Sequence, residues 1–131
     1  MTFPGSITAI TLFTDDLAAS RAFYSAVFDL PVHWEDDASV VFKLGGVLLN
    51  LADAAEGPGF IGPAPVGRSV DGATTQFTLT VDDVDATAAL IVERGATLLN
   101  GPVDRAWGMR TAAFADPSGH VWEIASEPTE V

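Results

Sequence analysis

The chain has 131 residues, 48% of them hydrophobic and 18% charged, a balance that excludes a disordered chain, and no apolar run nears the roughly 18 residues of a membrane span. Eighteen acidic residues against six basic ones leave a net charge of −12, which argues against nucleic acid and anionic membrane as partners, favours cationic ligands, and also serves plain solubility. The absence of cysteine removes disulfides, thiolate nucleophiles and sulfur-based metal sites, so any metal must be held by His, Asp, Glu, Asn or Gln.

In chain order, the opening MTFPGSITAI has no basic region followed by an apolar stretch and a small-residue cleavage site, so a cytoplasmic location is expected. Next comes ITLFTDDLAASRAFYSAVF from Ile10 to Phe28, which is answered 67 residues later by FTLTVDDVDATAALIVERG from Phe77 to Gly95. Each copy starts with strand-like alternation, passes a pair of aspartates and turns helical. Asp15 or Asp16, and Asp82 or Asp83, can accept backbone N–H groups at the helix start. Ala19, Phe23, Val27 and Leu30 form the apolar stripe of the first helix; Val84, Ala88 and Ile91 form that of the second. Asp29-Leu30-Pro31 and Gly95 end them.

Three short strands are predicted after each helix: Val32–Asp36, Ser39–Leu44 and Val47–Ala52, then Thr97–Val103, Arg110–Ala115 and Val121–Ser126. Turn residues such as Gly45-Gly46 and Asp116-Pro117-Ser118-Gly119 separate them. The predicted organisation is one α+β domain with a first βαβββ module over 1–53, a linker over 54–74 and a second module over 75–131. Gly and Pro are too frequent in the linker for regular structure, and its Phe60 and Ile61 either cover a pocket or anchor a solvated crossover.

Glu123 stands inside the apolar run of DPSGHVWEIA, where a charged, unpaired carboxylate costs several kcal/mol if buried. Trp122 alternates with it and is expected to face the other way, under a helix. His33 in VHWEDD reads as part of an exposed acidic hairpin, and His120 as a solvated residue flanking a turn. No nucleophile-elbow serine or phosphate-cradling glycine loop is present.

The duplicated module, with FYSAVFDLPV after the first helix start and ADPSGHVWEIA at the end, resembles the vicinal oxygen chelate superfamily over Ile7 to Ala125. That superfamily includes glyoxalase I, extradiol dioxygenases, fosfomycin-modifying enzymes and bleomycin-resistance proteins. The resemblance implies cupped half-barrel sheets around a cavity, in a homodimer. It also implies that any metal ligands come from the first and last strands of each module. Distance from the paired aspartates puts the first-strand positions at Ala9 and Gln76; matching VLLNLA to HVWEIA puts the last-strand positions at Asn50 and Glu123.

Ala9 has no donor atom, and two amides with one carboxylate make a poor set for a divalent ion. No cofactor is therefore expected, with a divalent metal held by Gln76 and Glu123 as the alternative. Glu123 becomes the candidate anchor of a ligand cavity, held ionised by Gln76 and Asn50, or else a general base. Trp107 and Met109 in RAWGMRT suit a platform for a flat ligand, or a seal at the sheet end; Phe13 and Phe42 line the cup or belong to the core. The expected function is that of a bleomycin-resistance-like protein sequestering a planar cationic antibiotic or metabolite. The alternative is a metal-dependent lyase, isomerase or dioxygenase.

Overall fold

The computed structural model describes residues 2–127, so positions 128–131, expected to end the second module, lie outside the described residues. In chain order the elements are β1 (Ala9–Thr14), α1 (Leu17–Val27), β2 (Val32–Glu35), β3 (Ser39–Leu44) and β4 (Val47–Asp53). There follow α2 (Gly57–Ile61), β5 (Gln76–Thr80), α3 (Val84–Glu93), β6 (Leu98–Asp104), β7 (Arg110–Ala115) and β8 (Val121–Ala125). They build two four-stranded sheets, ordered β1-β4-β3-β2 and β5-β8-β7-β6. In each, the first strand of the module runs parallel to the last and the remaining pairs are antiparallel. The fold is thus α+β, with two tandem βαβββ modules.

In each aspartate pair the second member caps the helix. Asp16 accepts the Ala19 N–H and Asp83 the Ala86 N–H, both at 3.0 Å, each contributing about 1 kcal/mol. Helix α3 buries Val84, Ala88 and Ile91, as its spacing predicts. Helix α1 is rotated from its predicted stripe: Val27 is buried as expected and Phe23 and Leu30 pack partly buried against the core, but Ser20 and Tyr24 take the buried positions and Ala19 is left half-buried. The rotation has a polar cause. The Ser20 hydroxyl shares a hydrogen bond with Thr14 at 2.7 Å, and the Tyr24 hydroxyl donates to Asp116 Oδ2 at 2.6 Å while accepting from Trp122 Nε1 at 3.0 Å. A buried phenol is tolerated when its hydroxyl is satisfied in this way.

One core serves both modules. Tyr24 and Phe28 of the first module meet Trp122 of the second at ring-centroid distances of 6.1 and 4.9 Å, and Phe23 and Phe28 lie against Phe114. Val40, Phe42, Leu49 and Leu51 enter this core from the first sheet, and Ala112, Phe114, Trp122 and Ile124 from the second. Helices therefore cover one face of each sheet, and strand alternation sends the neighbouring side chains to an opposite, helix-free face.

The linker is more regular than its composition predicts. It contains single 3-10 turns at Ala54–Glu56 and Ser69–Asp71 in addition to α2. Pro58 falls in the first turn of α2, where a missing N–H costs nothing, and Phe60 lies edge-on to Phe13 at 6.1 Å.

Candidate functional site

Glu123 lies on the helix-free face of the second sheet, half-buried, opposite to the buried Trp122. Parallel pairing sets it in register with Thr78, whose hydroxyl donates to Glu123 Oε1 at 3.0 Å. No basic side chain pairs with it among the described residues. The first sheet repeats the arrangement: Asn50 is in register with Thr11, its Nδ2 donates to Thr11 Oγ1 at 3.4 Å, and its Oδ1 is buried without a partner among the described residues.

The expected clamp of Gln76 and Asn50 around Glu123 is thus corrected. Asn50 belongs to the other sheet, and exposed Gln76 lies two residues before Thr78, on the same face but out of register. Counting back from the aspartates reaches the right face; only the strand register identifies the partner.

Trp107 and Met109, the expected platform, belong to a second group on this side, in which Arg105 was not foreseen. The β6–β7 hairpin closes through the Arg105 N–H donating to the Met109 carbonyl at 2.7 Å and the Gly108 N–H donating to the Arg105 carbonyl at 3.1 Å. Trp107, 61% exposed, sits at the hairpin tip, and Met109 is half-buried at its base. The Arg105 guanidinium reaches back over the sheet. Its Nε donates to Thr111 Oγ1 at 2.9 Å, its Nη2 donates to Asn100 Oδ1 at 3.3 Å, and its Cζ lies 6.0 Å from the centroid of the Trp107 ring. The two-residue spacing of Arg105 and Trp107 is the one signal in the sequence that points to this contact.

The arginines that pair with acids are elsewhere. Arg21 pairs with Glu35, Arg94 with Asp29, and Arg110 with Asp85 and Asp104. Hydrogen bonds from Arg21 and Arg110 hold the carboxyls of Glu35 and Asp85 below the usual carboxylate range.

Of the two places open to Phe42 the structure takes the core and corrects the cup: it is fully buried with Tyr24, because β3 alternation gives Phe42 the helix side and Val41 the open side. Phe13 lines a cavity of about 370 Å³ beside β1, with Ser118 and His120 and with linker residues 66–69 and 71–74 along its wall. His120 is half-buried there rather than solvated, its Nε2 2.8 Å from the Phe13 carbonyl. Gln76 lines a shallower groove with Ile10, Val47 and Phe77. Glu123, Asn50, Trp107 and Met109 line neither hollow. His33 is exposed on β2.

The quartet does not fit a divalent metal. Ala9 offers no donor, Asn50 and Glu123 are engaged with threonines in separate sheets, and no three His, Asp or Glu side chains converge among the described residues.

Two βαβββ modules with a shared core and open faces carrying polar and aromatic groups define a protein of the vicinal oxygen chelate class. The profile of the Glyoxalase/Bleomycin resistance protein/Dioxygenase superfamily matches residues 6–124, and the chain belongs to that superfamily. It is 31% identical over 127 residues to an uncharacterised protein of Mycobacterium bovis, covering 92% of this chain and 82% of that one.

A glyoxalase/bleomycin resistance protein/dioxygenase from Nocardioides superposes with a TM-score of 0.87 at 24% identity, covering 100% of this chain and 89% of that one. Lactoylglutathione lyase from Agrobacterium tumefaciens gives 0.75 at 26%, covering 95% of each. An antibiotic-binding protein from Streptomyces gives 0.72 at 23%, covering 98% of this chain and 100% of that one. At 23–24% identity the shared property is the fold. No helix among the described residues is long and apolar enough to cross a membrane.

Proposed function

We propose that the protein sequesters a planar small molecule bearing an amine or other cationic group, an antibiotic or metabolite, on the helix-free face of the second sheet and without a metal. The observation that carries this reading is Glu123: a half-buried carboxylate whose sole polar side-chain partner among the described residues is a neutral hydroxyl, with no basic side chain paired to it there. Such a carboxylate gains most from a ligand that brings the missing positive charge. Exposed Trp107 supplies a ring face on the same side, and the net charge of −12 favours a cation's approach. The Streptomyces antibiotic-binding protein shows what the fold can be used for. The reading places the protein in the cytoplasm.

Titration with a panel of basic aromatic antibiotics, followed by Trp fluorescence, is expected to show binding tighter than about millimolar, weakened roughly tenfold by Glu123→Gln. Silence across the panel would sink the idea.

The protein is also read as a homodimer. Trp34, Leu99 and Val103 are exposed, and β2 and β6 end their sheets, so apolar surface and strand edges await a cover. Gel filtration is expected at twice 13.7 kDa, and elution at the single-chain mass would count against a dimer.

Likeness to lactoylglutathione lyase at 26% identity favours a second reading, a metal-dependent lyase, isomerase or dioxygenase using Gln76 and Glu123. Elemental analysis of protein prepared without chelators discriminates between them. The expected result is divalent metal far below one per chain; stoichiometric metal lost on Glu123→Gln would establish the enzyme.

A further inference from the structure

We propose that the ligand of this face carries a carboxylate as well as its cationic group, and that Arg105 grips the carboxylate; the inference rests on the reading above in taking the helix-free face of the second sheet as the ligand's seat. The first argument is charge. The chain has 18 acids and only 6 bases, and three of its arginines are paired with acids. Arg105 has none among the described residues. Exposed Lys43 and Arg68 also lack an acid partner among the described residues, but Arg105 is half-buried and held in place by two hydrogen bonds.

Those two partners are both neutral. The Thr111 hydroxyl and the Asn100 amide oxygen orient the guanidinium without cancelling its charge. Of its five N–H donors, two are engaged; both on Nη1 and one on Nη2 remain, enough for the two parallel bonds of a carboxylate fork. Trp107 lies against the guanidinium at 6.0 Å, so a ring attached to that carboxylate has an aromatic surface beside it.

The second argument is placement. Glu123 is in register with Ala113 of β7, and Ala113 with Asn100 of β6, so the three stand in one row across the sheet. With strands spaced about 4.8 Å apart, Glu123 and Asn100 have Cα atoms roughly 10 Å apart. Glu123 thus stands at one end of the row and Asn100, whose amide oxygen holds the guanidinium, at the other, with the small, buried Ala113 between them, and Glu123 and Arg105 form no ion pair. Two charges of opposite sign on one sheet face, neither neutralised by the other, are the complement of a flat molecule with an amine at one end and a carboxylate at the other.

Calorimetric titration of the whole protein with para-(aminomethyl)benzoate, its carboxamide and benzylamine tests this. The carboxylate is expected to bind about tenfold or more tightly than the carboxamide, the worth of one charge-assisted contact. Arg105→Gln is expected to abolish that preference while keeping the weaker amine-dependent binding; Arg105→Lys, which retains charge and loses the fork, should retain part of it. Melting curves verify that each variant is folded, and if Arg105→Gln is not, the reduced preference of Arg105→Lys carries the comparison. Equal binding of carboxylate and carboxamide, or a preference that survives Arg105→Gln, overturns the inference alone. Binding of none of the three at millimolar concentration overturns it together with the reading beneath it.

Discussion

Replacing Asp116 by alanine is expected to lower the unfolding free energy by about 3 kcal/mol or more and the melting temperature by roughly 10 °C. Asp116 is buried in the turn before β8, and its two oxygens hold three donors. Oδ2 accepts the Tyr24 hydroxyl at 2.6 Å, and Oδ1 accepts the Ser118 and His120 N–H groups at 2.9 Å each. Tyr24 is on α1 of the first module, so one carboxylate both shapes the last turn of the second module and ties it to the first. Alanine leaves three donors without an acceptor and opens a polar gap beside Trp122, whose Nε1–H depends on the same hydroxyl.

A pH signature separates this network from ordinary core packing. Burial first, and the Asp116 charge second, push the Tyr24 phenol well above its ordinary value. A raised value means that the contribution is complete below the unfolded phenol's value of about 10 and is lost as pH rises above it. Denaturant unfolding measured up to about pH 11 should therefore show falling stability above about pH 10, and Tyr24→Phe should flatten that limb. An identical alkaline profile in both proteins would remove the network from the account of stability.

Such a network also marks where sequence reading stops. The 67-residue repeat, the capping aspartates and the strand centres were legible because caps, turns and alternation are local properties. The seat of α1 was not, since Ser20 and Tyr24 are drawn inward by Thr14 and Asp116, 6 and 92 residues away in the chain. Phe42 was left between cup and core for a simpler reason: Val41 and Phe42 are both apolar, so alternation alone does not say which faces the helices. Glu123 was recognised as the unusual carboxylate, but its partner Thr78 depends on the parallel register of β5 and β8, which the crossover through α3 sets. Arg105 went unread because its contact with Trp107 exists only once the hairpin has closed.

The largest effect on the site from outside it is expected at Gly101→Ala. Gly101 has φ +83°, a region that costs an alanine about 1–2 kcal/mol. A Cβ there would also collide with the Thr111 carbonyl oxygen and come within 2.7 Å of Ala112 Cα, both backbone atoms of β7 that have no free rotor to yield. Relief requires β6 to lift away from β7 at the irregular pairing between Asn100 and Val103. The summed penalty is about 3–4 kcal/mol, read as a lower melting temperature.

The same displacement moves Asn100, one residue away, whose amide oxygen orients Arg105. Any Gly101→Ala protein that remains folded is therefore expected to lose the carboxylate preference of the Arg105 subsite while its Glu123–Thr78 contact, two strands away, persists. Normal stability in this variant would show that β6 approaches β7 less closely than the structure has it. Lost stability with an intact carboxylate preference would show that Asn100 does not position the guanidinium.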